Sequence, residues 1–477
     1  MKKLGLFLCL VLFLTAIVAF WLTSRSDKNY LNAIPTDSRA LFEVNLRLLT
    51  EEFDANIVSS LTDFISEDHT ELGLNLANPI VGFYTQKGYV GVLAQVSNSS
   101  ALQQNLHQKG YETETQRGLQ WSVVEDWLIC YDDEKMLVLG PGARADHDAL
   151  RKEMNTLMHQ GENENALFAS LQERNGFFKS VADMHLISTY FSDFGKMFKN
   201  KGFSPNELFL HASMDSEGKE LFMNVELLTE NDSLLSLFNE LDASFHQIQG
   251  TNTSGFVTNS LCWFGINVTG DKLLEQMRSF PQIRTMLLAL NMCVDADLML
   301  KSIDGDVTIS IPEISLLTTP SVLLRAQLNN TDFLEKSEDW KTGFSADAGV
   351  DFQEYTPTDF SLRYKGERYF FGVYEGHLYL TNKRDVVEGL KREPLLSTVY
   401  DEAANVRFYS SIDASRMLKL AATYLLWLGA PAPLYELLDD VERVNLKIYD
   451  SRHYEFELKF VHELKEVVSR SIEQSAD

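Results

Sequence analysis

Along much of this chain, apolar and polar residues alternate one for one over short runs, the period-two pattern of strands with two unlike faces. Two of these runs match. Phe42-Glu43-Val44-Asn45-Leu46 aligns without a gap on Phe264-Gly265-Ile266-Asn267-Val268, and the residues ahead of them, Thr36-Asp37-Ser38 and Thr258-Asn259-Ser260, align as well. A helical segment follows each, residues 48–53 in one and 272–277 in the other. Further on, Ala94-Gln95-Val96-Ser97-Asn98 matches Ala326-Gln327-Leu328-Asn329-Asn330, and each run leads into a helix that Ser99 or Thr331 is expected to cap with its hydroxyl. Paired hairpins come next, at residues 127–139 and 369–380. Each half closes on another hairpin, 208–228 turning at Ser216-Glu217-Gly218 and 444–461 turning near Asp450-Ser451-Arg452, with a helix after it.

This order, met twice, predicts two tandem copies of one α+β domain, residues 31–248 and 255–477, divided at the turn-rich segment 249–255. Hairpins and meanders imply largely antiparallel sheets. Phe42, Val44 and Leu46 are expected to point inward in one copy, as are Phe264, Ile266 and Val268 in the other, with Asn45 and Asn267 on the opposite face.

Residues 1–30 form a separate segment. Behind Lys2 and Lys3, the stretch from Leu4 to Thr23 carries no charge, and at about 1.5 Å per residue it spans roughly 30 Å, a bilayer's hydrocarbon core. It reads as a single transmembrane helix with the lysines on the cytoplasmic side and the bulk of the chain extracytoplasmic, periplasmic or at the cell surface. A cleaved leader is the alternative; its best site, Ile17-Val18-Ala19, is poor because Phe20 and Trp21 follow. Beyond Cys9 stand Cys130, Cys262 and Cys293. They read as buried thiols, with a Cys262–Cys293 bridge left open. Lys and Arg number 42 against 68 Asp and Glu, a formal charge of −26, which excludes a nucleic-acid partner and favours solubility.

No local motif survives as a catalytic, cofactor or metal site. Gly140-Pro141-Gly142-Ala143-Arg144-Ala145 has the context of a dinucleotide turn, but proline interrupts its glycines and no acidic strand end follows. Asp295, Asp297, Asp304 and Asp306 lack calcium-loop spacing, and Asp304-Gly305-Asp306 reads as a turn between helix and strand. Asp146-His147-Asp148 fans out around a helix N-terminus. Ser216-Glu217-Gly218-Lys219 sits at a hairpin tip, and His462-Glu463 lacks the second histidine of a zinc helix. The apolar run 417–430 is too short to cross a membrane and reads as a core helix, with a partner-facing or membrane-facing patch as the alternative; residues 188–198 are its more polar counterpart.

The opening Ile34-Pro35-Thr36-Asp37-Ser38, with the strand 40–46 after it, resembles the start of a family of exported bacterial proteins known only as domains of unknown function. Many of these are lipoproteins. Asn78-Pro79 before a strand and Gly305-Asp306 opening another suit the same family. The chain departs from it in having no lipobox cysteine, and the resemblance brings no established activity. The function expected is a non-enzymatic binding or structural protein of the cell envelope, held by its N-terminal helix, with a protein partner. An extracytoplasmic hydrolase, or a carrier of lipid or another small ligand, is the alternative.

Overall fold

A computed structural model describes residues 28–52, 72–124, 126–140, 147–163, 165–184, 186, 207–250, 260–291, 294–314, 320–345, 350–364, 366–390, 402–417, 419 and 440–467. The segments 4–23, 141–146 and 188–198, with Cys9 and Cys293, lie outside these residues, as does 417–430 apart from residues 417 and 419. Among the described residues no helix is long and apolar enough to cross a membrane. The chain divides into two compact units, residues 1–200 and 201–477.

The first unit holds β1 (Ser38–Val44), β2 (Ile80–Thr85), β3 (Val90–Gln95), β4 (Thr113–Gln116), β5 (Leu119–Val124), β6 (Trp127–Tyr131), β7 (Lys135–Gly140) and β8 (Phe178–Asp183). All pairings are antiparallel, in the order β4-β5-β6-β7-β3-β2-β1-β8. The first helix, α1 (Leu46–Glu52), follows β1, and the Asn45 carboxamide accepts from the amide of Leu48. The next, α2 (Ser99–Gln108), follows β3. Its cap is Asn98, whose side chain accepts from Ala101, and not the expected Ser99; Asn98 has the extended backbone that a cap requires. Two more helices, α3 (His147–Met158) and α4 (Ala166–Gln172), come between β7 and β8.

The second unit opens with the hairpin β9 (Phe209–Glu217) and β10 (Glu220–Leu228), then α5 (Asp232–Ser244) and the short β11 (Phe245–His246). There follow β12 (Cys262–Thr269), α6 (Gly270–Ser279), α7 (Pro281–Leu290), α8 (Ala296–Lys301), β13 (Ile303–Glu313) and β14 (Ser321–Leu328). Then come α9 (Ser337–Ser345), β15 (Val350–Thr356), β16 (Asp359–Tyr364), β17 (Glu367–Tyr374), β18 (His377–Thr381), α10 (Arg384–Leu390), β19 (Phe408–Asp413), β20 (Val441–Ile448) and β21 (His453–Phe460). The antiparallel order is β15-β16-β17-β18-β14-β13-β12-β19-β20-β21-β10-β9, with β11 on the far end of β12. From β15 to β19 this repeats the first unit's order strand for strand. The hairpin β9–β10, which the sequence reading puts in the first copy, belongs to the second compact unit and pairs with β21.

Two sequence expectations are corrected here. Thr331 makes no capping hydrogen bond and precedes a 3-10 turn, Asp332–Lys336. Asp304-Gly305-Asp306 is not a turn but lies within β13, where Gly305 takes φ +126° beside a register shift.

Candidate functional site

On β1 the sheet is turned over relative to the expectation from its pattern, whereas on β12 Val268 is buried on the side expected to face inward. Leu41 and Glu43 are buried on β1, at 1% and 3% exposure, while Phe42 is 38% exposed. The Leu41 face carries Val81, Phe83, Leu93, Leu128, Leu137 and Leu139, all buried. Two helices lie against it: Arg151 of α3 stacks over the Trp121 ring on that face, and Gln172 of α4 donates to Glu43 at 2.6 Å. The charge on Glu43 is matched by Lys179 at 2.8 Å.

The second unit has the same geometry with different chemistry. Trp263 and Asn267 are buried on one side; on the other, Val268 is buried at 1% with the half-buried Ile266 packed against the same core, and Phe264 is half-buried. Matched by register, the first unit's Val81, Phe83, Leu93, Leu137 and Val181 correspond to Thr308, Ser310, Arg325, Tyr379 and Ser411. All five of these polar side chains are buried. One exchange conserves volume. Phe83 lies over Gly91, where an added Cβ would meet its ring at 2.1 Å; the same cross-strand pair in the second unit is Ser310 and Leu323.

Most groups on the buried Trp263 face find partners. The carboxylate of Asp306 accepts from Asn267 at 2.8 Å and from the Gln249 amide at 3.0 Å. Tyr409 donates to Glu402 at 2.6 Å and Tyr379 to Asp359 at 2.7 Å. Burial first, then the carboxylate partner, pushes both phenols above their ordinary range. Burial opposes the charge of Lys447, but Glu455 at 2.8 Å and Glu457 at 2.9 Å outweigh it and hold its pKa above that of a free lysine. The Asn445 carboxamide, fully buried between Ser411 and Glu457 in register, makes no hydrogen bond through either of its atoms.

The opposite, Phe264 face is apolar. One row crosses ten strands: Phe371, Leu380, Leu324, Ile309, Phe264, Ser410, Leu446, Phe456, Met223 and Met214. The parallel row Ile412, Val444, Leu458 and Leu221 is also apolar. Part of this face is closed, since Val307, Ala326, Phe360 and Leu378 form a core with Phe333 and Trp340 beneath α6, α8 and α9. The part on β9, β10, β19, β20 and β21 is different. Leu446, Leu458, Leu221, Met223 and Met214 are half-buried, and Phe456 is 37% exposed. Antiparallel sheets normally bury the apolar face and wet the polar one. Here Ser411, Asn445 and Glu457 are buried on the polar side of β19, β20 and β21, whereas Asp215, Glu217 and Asn224 on the polar side of β9 and β10 are exposed.

The motifs weighed in the sequence disperse. Asp295 caps α8 and pairs with Lys336 at 2.6 Å, Asp297 pairs with Arg278, and Asp306 is buried apart from both. Among the described residues no group of His, Cys, Asp and Glu is placed to hold a metal. His147 and Asp148 open α3, and Gly218-Lys219 turns the β9–β10 hairpin, with Lys219 donating to the Val461 carbonyl at 2.7 Å. Cys130 and Cys262 are buried free thiols, and burial pushes Cys130 up to about 12.

The chain matches the family described as domain of unknown function DUF4836 over residues 26–420, and it belongs to that family. No curated protein matches it. Among solved structures, crystal form IV of TP0453 is 14% identical, covering 45% of this chain and 86% of that one at a TM-score of 0.29. Crystal forms I and III are each 12% identical, cover 46% of this chain and 89% and 90% of theirs, and reach a TM-score of 0.28. These likenesses are too slight to bear on fold or function.

Proposed function

We propose that this member of the family is a non-enzymatic binding protein of the cell envelope, held by residues 4–23 and built from two copies of one domain, the second of which carries the binding surface. The observation that carries the reading is the half-buried apolar face of β9, β10, β19, β20 and β21, backed on β19, β20 and β21 by the buried Ser411, Asn445 and Glu457. Leaving that many aliphatic and thioether side chains accessible forgoes about 25 cal/mol for each Å² left wet. An occupant recovers this energy. The shared strand order and registers support the duplication, and the first unit's Leu41 face, with Val81, Phe83, Leu93, Leu137 and Val181 where the second has Thr308, Ser310, Arg325, Tyr379 and Ser411, supports specialisation of the second.

The test is a charge placed on the surface. The full chain, reconstituted through its N-terminal segment in lipid nanodiscs, is titrated with bis-ANS against empty discs. Leu446→Glu is expected to abolish the protein-dependent fluorescence while leaving the melting temperature of the parent chain. Unchanged dye binding in a folded Leu446→Glu chain would remove this face as the binding surface.

A further inference from the structure

Resting on the duplication proposed above, we propose that β10 and β21 meet as equivalent strands about a local two-fold, and that Glu220, Glu226, His453 and Lys459 keep this contact within one chain, so that chains do not exchange closing hairpins. Both strands lie in the second compact unit. Each is the second strand of the hairpin that closes its copy, and their apolar positions coincide when Leu221, Met223 and Val225 are set on Tyr454, Phe456 and Leu458. In that match the antiparallel register is symmetric. Met223 faces Phe456 at the centre, and three residues to either side Glu220 faces Lys459 and Glu226 faces His453. Both outer pairs are closed: the Glu220 carboxylate lies 3.1 Å from the Lys459 ammonium, and the His453 ring donates through Nε2 to Glu226 at 2.9 Å.

Equivalent strands that pair about a two-fold can also pair with themselves, β10 with β10 or β21 with β21 of another chain, and hairpins are swapped between chains by that route. The side chains decide against it. With Met223 set against itself, one chain's Glu220 would face the other's Glu226 at both ends. With Phe456 set against itself, the donors Lys459 and His453 would meet without an acceptor, and Glu455 would face Glu457. Like charges directly opposite each other destabilise a strand pair. The β10–β21 pair instead sets a carboxylate against a donor at each end, and Glu455 and Glu457 are held by Lys447 at 2.8 Å and 2.9 Å. Both acids stand on β10 and both donors on β21, so attraction to the right strand is joined to repulsion between the wrong ones.

A thiol at the centre of the seam reads self-pairing. Met223→Cys is set against itself in a β10–β10 pair but against Phe456 in the native one. The full chain with Met223→Cys is unfolded in urea, refolded in detergent at high protein concentration and treated with a short bis-maleimide. Crosslinked dimer is read on a denaturing gel, with the parent's own thiols as the blank, and little is expected. Adding Glu220→Lys, which suits Glu226 in the self-pair and opposes Lys459 in the native one, is expected to raise the dimer about fivefold or more. Glu220→Gln, which loses the Lys459 bridge without suiting Glu226, is expected not to raise it. Adding Lys459→Glu to Glu220→Lys restores an opposite charge across the native seam and is expected to lower the dimer again. Should Glu220→Lys fail to refold, Lys459→Glu with Phe456→Cys tests the same rule from β21. Equal dimer with Glu220→Lys and Glu220→Gln, or as much with Met223→Cys alone, overturns the proposal. The duplication is tested apart from it, by the rescue of Gly91→Leu with Phe83→Ser. If that rescue fails while the crosslinks follow the charges, the selection between strands stands and only the duplication falls; if the rescue holds and the crosslinks ignore charge, the duplication stands and the proposal falls.

Discussion

Replacing Asn445 with leucine is expected to stabilise the protein. Asn445 is fully buried on β20, and neither atom of its carboxamide has a partner. A buried polar group left unsatisfied costs about 1–3 kcal/mol, because its hydrogen bonds to water are lost and not replaced. Leucine is close in volume, so most of that penalty should be relieved with little repacking. The net gain should be about 2 kcal/mol, and for a unit of this size each kcal/mol moves the midpoint by roughly 2–4 °C, giving a rise of about 4–8 °C. Alanine at the same position removes the amide but opens a cavity, so it should fall near or below the parent. Calorimetric melting of the full chain and both variants reads this directly. A lower midpoint for Asn445→Leu would mean that the amide is hydrogen-bonded in solution, and the argument from an orphaned carboxamide would be wrong.

Other outcomes follow from the same packing. In the first unit, Lys179→Ala strands the buried Glu43 carboxylate and should cost about 3–5 kcal/mol in urea unfolding, whereas Glu43→Leu combined with Lys179→Met should be near neutral. Gly91→Leu should unfold against the Phe83 ring; Phe83→Ser should rescue it, because the second unit holds that combination at Ser310 and Leu323, and a double variant weaker than both singles would count against the duplication. Burial works against the Asp450 carboxylate, but the amides of Arg452 and His453 and the His453 ring together hold its pKa below the usual range. Its folded value is depressed, so the stability it adds is present above the ordinary carboxylate range and fades as pH falls through the lowered value. The gap in midpoint between parent and Asp450→Ala should therefore be open at neutral pH and close in strong acid.

Much of the fold was legible because its signals are local. The alternation at residues 42–46 and 264–268 located β1 and β12, and the closing hairpins stand where their turns put them. Asp183 and Asp413, which end β8 and β19, each accept from the amide three residues on, at 2.9 Å; this repeat was available in the sequence and was missed. What alternation cannot supply is which face meets the core. Val444-Asn445-Leu446-Lys447-Ile448 marks two faces without saying which one the rest of the chain covers, and the apolar side is the ordinary choice. Here α10 and the segment around Ala403 and Val406 pack against the polar side, through Tyr379 and Tyr409. The candidate surface follows from that choice of side, a tertiary fact with no local signature.

Adjacent residues on β20 give the most direct test, since Asn445 and Leu446 point to opposite faces. Each is replaced by cysteine in the full chain, and labelling by a water-soluble maleimide is followed under native conditions, with the parent's own thiols as the blank. The reversed sheet predicts that Leu446→Cys labels readily and that Asn445→Cys stays protected until the chain unfolds. Protection at Leu446→Cys with ready labelling at Asn445→Cys would contradict it, and the binding surface would be lost with it.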